Sequence, residues 1–252
     1  MNTPSRPRAT KIICTIGPAT DTSDMLGQLI EAGANVFRLN MSHSKHDWVR
    51  EVVFRIRRKA AELEANVAIL FDLQGPSIRT GDLAEPYHLK KGDTVEIRLG
   101  TAKPELPFST TVNYDGLLQD VQAGHTMVVD NGGILMRIAE VRPDRLICDV
   151  LTEGVFGSRR HINLPGVALR LPALTEKDLA DLAVAVECET DYVAMSFVRD
   201  AAHIAQLREH IDNLGGKAQI VAKIEDQQAV RHIDDIILAA DVIMVARGDL
   251  GI

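Results

Sequence analysis

The sequence predicts an α/β fold in which parallel βαβ units are interrupted by a β-rich insert. Three observations carry that prediction. Short β-branched runs alternate with segments of helical period over roughly residues 10–80 and 168–252. Between them, over 81–167, apolar and polar residues alternate around Gly- and Asp-containing turns. The apolar runs of the first texture turn polar at their C-terminal ends. Strands alternating with helices imply a parallel sheet with right-handed crossovers. Period-two alternation implies strands with one face on a core.

Taken in order, "KIICTIG" reads as the first strand. "DTSDMLGQLIEAG" follows, with Met25, Leu26, Leu29 and Ile30 at helical spacing and Gly33 as its stop. "NVFRLN" is the second strand, and 47–64 a helix with Trp48, Val52, Val53, Ile56 and Leu63 on one stripe. "VAILFDL" is nearly all apolar, as a parallel strand buried on both faces should be. In the insert, "KKGDTVEIRL", "HTMVVDNGGILMRIAEV" and "RLICDVLTEG" predict antiparallel strands without a helix, and "DNGG" a hairpin turn. "NLPGVALRLPAL" suits a hinge at Pro165, Gly166 and Pro172. Beyond it, Thr175 with Asp178 three residues on is a helix-start signature, followed by Leu179, Leu182 and Val186. "DYVAMSFV", "QIVAKIE" and "DVIMVARGD" complete six strands. Ile204, Leu207, Ile211 and Leu214 mark one intervening helix, and Val230, Ile233 and Ile237 another. These boundaries give three segments: 1–80, the inserted domain 81–167, and 168–252.

The chain has 252 residues, 46% hydrophobic and 25% charged, so it can bury a sizeable core. Its net charge of −7 argues against a general nucleic-acid binder, though not against a small anion in a local basic pocket. The three widely spaced cysteines, with no CxxC, read as free thiols in a reducing compartment. No apolar stretch is long enough to span a bilayer, and no apolar region follows Arg6 and Arg8 to make a secretory signal. The expectation is a soluble cytoplasmic protein that binds neither nucleic acid nor membrane.

Residues two apart on a strand share a face. Arg38, Asn40 and Ser42 have one parity, as do Lys223 with Glu225, and Arg247 with Asp249; Asp72 ends its own strand. Polar ends on several parallel strands converge on one mouth in a barrel of such units. Any one of them could simply meet water. Four strands doing so together point to function, given the cost of unpaired buried charge. Glu225 and Asp249, with no Cys or His partner nearby, suit a hard cation, Mg²⁺ or Mn²⁺ rather than zinc. Lys223 and Arg38 then complete a clamp for phosphoryl or carboxylate groups. Asn40, Ser42 and Asp72 offer only oxygen and could hold a second, monovalent cation or orient phosphates. A helix cap is an equal reading for Ser42. Gly248 and Asp249 open the next turn, where helix N–H groups could meet a carboxylate. His43 reads as a surface histidine, Arg159 and Arg160 as a solvated turn, and Lys223 with Glu225 alternatively as a structural ion pair.

The segments "TKIICTIGPAT", "GANVFRLNMSH", "ILFDLQGPSIRTG", "INLPGVALRLPALTEKD", "DYVAMSFVR", "IVAKIED" and "VARGDLGI" resemble pyruvate kinase in order and spacing over essentially the whole chain. The resemblance implies an incomplete (β/α)₈ TIM barrel with six strands present, carrying an inserted antiparallel β-barrel-like lid. It implies phosphoryl transfer from phosphoenolpyruvate to ADP, giving pyruvate and ATP, with Mg²⁺. It assigns Arg38 to the substrate phosphate, Lys223 to transition-state stabilisation, and the Gly248 backbone to the substrate carboxylate. Glu225 and Asp249 would hold Mg²⁺. Asn40, Ser42, Asp72 and the Leu73 carbonyl would line a K⁺ site. Asn40, Met41, Ser42, His43, Arg79 and Arg160 would approach the nucleotide. Ser77 stands where the family usually has Glu or Lys, which leaves the K⁺ requirement open. Arg160 and His161 replace the usual Lys-Gly of the lid. A full-length form is expected to be a homo-oligomer, a tetramer. Six strands do not close an eight-stranded barrel, so the expectation is an N-terminal fragment, nearly inactive alone, with exposed edges on strands one and six, and the alternative is a natural short protein completed by a partner chain. The rival readings are a Mg²⁺-dependent barrel lyase or aldolase acting on pyruvate-like oxoacids, and a non-catalytic remnant that binds a ligand or partner.

Overall fold

The computed structural model describes residues 10–130, 132–167 and 169–250. They fall into two compact units, one of 10–75, 174–223 and 232–244, the other of 76–173, 224–231 and 245–250.

The first unit opens with strand β1 (Ile13–Ile16), helix α1 (Ser23–Glu31), β2 (Val36–Asn40), α2 (His46–Glu62) and β3 (Ala68–Asp72). Helix α1 starts where the Thr22 side chain accepts from the Met25 amide. Gly33, at φ +94°, follows its end. That left-handed conformation is cheap only for glycine. Helix α2 buries Val49, Val52, Val53, Ile56 and Ala60, while Trp48 lies at the edge of this stripe. Leu63, expected on the stripe, is exposed, because the helix has already ended at Glu62. Phe37, Leu39, Ile69 and Phe71 on β2 and β3 have no exposed surface. Each such side chain stabilises the fold by about 1.5–3 kcal/mol through removal of apolar surface from water.

The middle of the chain, in the second unit, contains β4 (Tyr87–Leu89), β5 (Thr94–Arg98), β6 (Ser109–Thr111), α3 (Leu117–Asp120), β7 (Thr126–Val129), β8 (Ile134–Val141), β9 (Arg145–Val150), β10 (Gly154–Phe156) and β11 (Ile162–Asn163). Six of these strands form a sheet in the order β11-β7-β8-β9-β5-β6, and β4 pairs with β10. The predicted hairpin joins β7 to β8, with Asp130 at φ +56° and Gly132 at φ +94°. Two details differ from expectation. β5 and β6 pair in parallel, because residues 99–108 form a loop long enough to carry the chain back. The single helical turn α3 is too short to print a helical stripe. The core of this unit comes from alternate residues such as Val95 and Ile97, Met127 and Val129, Ile134, Met136 and Ile138.

The parallel texture then returns as α4 (Glu176–Glu187), β12 (Tyr192–Met195), α5 (Ala201–Asn213), β13 (Gln219–Ile224), α6 (Gln227–Arg231), α7 (Ile233–Ala239), β14 (Val242–Val245) and α8 (Arg247–Leu250). Thr175 and Asp178 make a reciprocal capping box at the start of α4. The buried face of α4 is Asp178, Asp181, Leu182, Val184 and Ala185. Leu179 is exposed, so the apolar stripe read from sequence was displaced around the helix by two buried carboxylates. α5 buries Ile204, Leu207 and Ile211, with Leu214 exposed beyond its end. The last predicted helix is split at His232 into α6 and α7; Ile236 is buried, whereas Val230 and Ile237 are exposed.

Strands β1-β2-β3-β12-β13-β14 form one six-stranded sheet in that order, and its pairings from β1 to β13 are parallel. The protein is therefore mixed α/β, with six parallel strands of barrel type and a second, curled sheet. β1 and β14 stand at the ends of the order, and Ile13 and Val245 on them are exposed. Among the described residues no helix is long and apolar enough to cross a membrane.

Candidate functional site

The C-terminal ends of β2, β3, β12 and β13 carry the polar residues of the first unit. Asn40 on β2 is level with Asp72 on β3, and Asp72 with Ala194 on β12. Met195 is level with Ala222, so the next residues, Ser196 and Lys223, are neighbours as well. Register thus brings four strand ends to one place.

Asp72 is the hub. Its carboxylate is 2% exposed and lies between two cations. Arg38 reaches one oxygen through Nε at 2.6 Å and Nη2 at 2.5 Å, and its Nη1 donates to Thr15 Oγ1 at 2.8 Å. Lys223 Nζ lies 3.3 Å from the other oxygen and donates to Ser196 Oγ at 2.7 Å. Ser196 Oγ in turn donates to the Leu73 carbonyl at 2.7 Å. A buried carboxylate is tolerable when cations and hydrogen bonds compensate its desolvation. Here Arg38 and Lys223 both reach one carboxylate, which gathers two cations at the strand ends. That is an electrostatic setting for an anion.

The segment after β2 folds back on itself. Asn40 Oδ1 accepts from the Ser42 amide at 3.0 Å, the Met41 amide donates to the Asp72 carbonyl at 2.9 Å, and Ser44 Oγ donates to the Asn40 carbonyl at 2.8 Å. The Met41 side chain is fully buried, so only its backbone can meet a ligand. His43 is exposed. Ser42 is not a helix cap, because α2 begins after Lys45. Asn40 and Asp72 are level on neighbouring strands, and Leu73 follows Asp72.

After β3, Gly75 takes φ +70° and donates its amide to Asp178 Oδ1 at 3.0 Å. A Cβ there would meet Ser196 Cβ at 2.9 Å and Phe197 Cδ2 at 3.0 Å. Phe197 itself holds φ +55°. Gly75→Ala is therefore expected to destabilise the protein by about 1–3 kcal/mol through backbone strain and this clash, read as a lower thermal midpoint; an unchanged midpoint would contradict the close approach.

In the second unit, Arg79 and Arg160 lie on paired segments. The Thr80 amide donates to the Arg160 carbonyl at 2.9 Å, and the Arg160 amide to Thr80 Oγ1 at 2.8 Å. Arg79 reaches the Arg159 carbonyl at 3.0 Å and Ser77 Oγ at 3.3 Å. Arg160 lies 3.2 Å from Asp130, its guanidinium over Gly157, where a Cβ would come within 2.8 Å of Nε. Arg159 is exposed and pairs with Asp82 at 2.7 Å, as a solvated turn should. Glu225 is buried at 5% exposure. Gly248 is open, inside the short helix α8. The side chain of Asp249 lies outside the described residues. Among the described residues no group of three or more His, Cys, Asp or Glu is gathered for a metal.

The sequence reading did not single out Ser196, Thr15, Lys177 or Asp181. Ser196 was findable: it follows the last residue of β12, where the strand-end rule applies, but "DYVAMSFV" was read as one unbroken strand.

A family model described as pyruvate kinase, barrel domain, matches residues 7–252. Plastidial pyruvate kinase 2 of Arabidopsis thaliana is 39% identical over 251 residues, covering 98% of this chain and 43% of the relative. The pyruvate kinase of Mycobacterium tuberculosis strain H37Rv is 38% identical over 246 residues, covering 97% and 52%. That of Staphylococcus aureus strain MRSA252 is 36% identical over 248 residues, covering 97% and 42%. The chain thus spans about half the length of the curated relatives it matches.

Proposed function

This chain belongs to the pyruvate kinase family, and from that premise we propose that it forms the phosphoenolpyruvate-binding part of an enzyme that transfers a phosphoryl group to ADP. The observation that carries the reading is the Arg38–Asp72–Lys223 cluster, two cations fixed on one buried carboxylate at the strand ends. In this proposal Arg38 holds the substrate phosphate. Lys223 faces the phosphoryl oxygens, whose charge redistributes as the enol P–O bond breaks and a bond to the ADP β-phosphate oxygen forms. The enolate left behind takes a proton to become pyruvate. Both cations are already oriented by Asp72, Thr15 and Ser196, so little reorganisation is left for the reaction step.

The family's metal dependence fits the residues present. Glu225, which is buried, and Asp249 would hold Mg²⁺ or Mn²⁺, which supplies charge neutralisation on the transferred group. Asn40, Ser42, Asp72 and the Leu73 carbonyl would hold K⁺, and the Gly248 amide would meet the substrate carboxylate. Arg79 and Arg160, with the segment Asn40–His43, would approach the nucleotide, and 81–167 would act as the lid over it. The setting proposed is cytoplasmic, which free Cys14, Cys148 and Cys188 support.

The test is pyruvate release from phosphoenolpyruvate and ADP with Mg²⁺, for this chain and for a form extended to the full length of its relatives. Pyruvate is expected only when both substrates are present. Cleavage of an oxoacid without ADP would replace this reading with a lyase.

A further inference from the structure

The N-terminal ends of the parallel strands carry a side-chain clamp that recurs at every second step of the sheet. Asp191 stands immediately before β12. Its amide donates to the Ile69 carbonyl at 3.1 Å, and its Oδ2 accepts from the Ile69 amide at 2.7 Å. Asp241, immediately before β14, does the same to Ile220 on β13, at 3.1 and 2.7 Å. Asn35, immediately before β2, does the same to Ile12 beside β1, at 2.9 Å in both directions. The Asn35 and Asp191 carbonyls also accept from Ala68 and Gln219, the first residues of β3 and β13, at 2.9 Å. Each of these two residues thus joins three strands.

Where the clamp is charged, the helix before the held strand supplies an arginine. Arg57 of α2 donates to Asp191 Oδ2 at 2.8 Å and to the Val67 carbonyl at 3.4 Å. Arg208 of α5 donates to Asp241 Oδ2 and to the Ala218 carbonyl at 3.1 Å. Both arginines lie 10 residues before the carbonyl they reach, so one construction is built twice. Asn35 is neutral, and there the same oxygen works without a charge. A clamp of this kind supplies what the backbone ladder lacks. A one-residue slip between strands turns every side chain over, which burial forbids. A two-residue slip keeps every face and re-forms the backbone bonds, yet moves one strand by about 6.6 Å. A side chain at a fixed position tells the two registers apart. At the opposite end of the same strand pairs, Arg38 donates to Thr15 Oγ1 and Ser196 Oγ to the Leu73 carbonyl, and such a slip would part both.

We infer that Asn35, Asp191 and Asp241 are positioning residues: each fixes the register of one strand pair through its acceptor oxygen, and so decides from the far end of the sheet which groups meet at the candidate site. Arg57 and Arg208 orient the acceptor and are dispensable. The consequence for turnover rests on the proposed function; the register does not.

Asp191 is tested first, because β3 and β12 are interior strands. Asp191→Ala removes the acceptor and should raise hydrogen exchange at Ile69–Phe71 about tenfold, the scale of one lost hydrogen bond to a charged group. Asp191→Asn keeps an oxygen there, and Arg57→Gln combined with Asp191→Asn rebuilds the uncharged clamp of the first pair. Both should stay within about threefold of the parent. Asn35→Ala is a milder case, because β1 stands at the end of the sheet order; it should raise exchange at Cys14–Ile16 even where Asp191→Ala fails to fold. In the extended enzyme, at a temperature where the circular dichroism matches the parent, Asp191→Ala should lower kcat about tenfold to a hundredfold through misplacement of Ser196 and Lys223. Asp191→Asn should restore it. A merely stabilising residue would leave kcat per folded molecule unchanged. Parent-like exchange in both alanine variants, or loosening in Asp191→Asn equal to that in Asp191→Ala, would overturn the clamp. Raised exchange with parent-like kcat in Asp191→Ala would overturn its positioning role. An extended parent enzyme without pyruvate formation would remove the proposed function and leave the exchange result standing.

Discussion

Replacing Lys223 with methionine is expected to lower phosphoryl transfer by about a hundred- to a thousand-fold in the enzyme extended to the full length of its relatives, the range seen when one preorganised charge-stabilising donor is removed. Lys223 is fixed twice, by Ser196 and by Asp72, and its side chain is only 12% exposed. Methionine keeps most of its length but offers neither the ammonium nor the hydrogen bond. The Arg38–Asp72 pair stays in place, so binding of phosphoenolpyruvate should weaken far less than turnover. Steady-state kinetics separate the two, because loss of an interaction made in the transition state lowers kcat and kcat/KM together. Lys223→Arg should recover little, since a planar guanidinium cannot replace a compact ammonium between two acceptors. Full turnover in Lys223→Met would remove this residue from the chemistry.

Glu96→Ala is expected to destabilise the second unit by about 1–3 kcal/mol, the cost of leaving buried donors without their acceptor. The Glu96 carboxylate has no exposed surface; it accepts from Arg145 at 2.7 Å and from the Glu105 and Leu106 amides at 2.7 and 3.2 Å. Alanine leaves the Glu105 and Leu106 amides and Arg145 Nη1 short of an acceptor, while Arg145 keeps Asp144 at 2.8 Å and Glu105 at 3.2 Å. Hydrogen exchange at β5 and β9 amides should rise steeply, with Trp48, the only tryptophan, reporting separately on the first unit. Parent-like protection would show that the loop of residues 99–108 is held by other means. The same carboxylate sets an acid limit. Burial pushes its pKa up, but the Ser109 hydroxyl, the two amides and Arg145 outweigh burial and hold it below the usual carboxylate range. The folded state therefore binds this proton less readily than the unfolded state. The stability it contributes is present above the ordinary carboxylate pKa and is lost as pH falls through the lowered value. Asp120, whose side chain is 2% exposed, and the more exposed Asp241 act in the same direction: desolvation raises each, but Arg170 and Tyr114 outweigh it at Asp120, and the Ile220 amide and Arg208 outweigh it at Asp241. The thermal midpoint should fall as pH drops below about 4, and Glu96→Gln should flatten that fall while starting lower. A midpoint independent of pH in that range would contradict the ion-pair account.

Much of the architecture was legible because it is written in local periodicity. A strand with two buried faces prints a run such as "VAILFDL", and β7 and β8 print alternation around "DNGG". The capping box at Thr175 was legible for the same reason, since both partners lie within one turn. Helix faces were less so. Leu63, Leu179, Val230 and Ile237 have the right spacing yet are exposed, because a helix end, two buried carboxylates and the break at His232 shifted the faces that pack. The parallel β5–β6 pair escaped for another reason: pairing direction depends on where a loop returns.

By itself the sequence determined the order of six strands, the β-rich insert and the parity that turns Arg38, Asn40, Asp72 and Lys223 toward one set of strand ends. Tertiary structure alone decided which of these groups meet. Asp72 could have paired with either cation and holds both; Ser196 and Asp181, unremarkable in the sequence, became the hydroxyl under Lys223 and the carboxylate under the Met41 loop. The reason is physical. Periodicity records which side of one element faces a core, whereas an ion pair 34 or 135 residues apart in sequence depends on register and crossover, which no local pattern encodes.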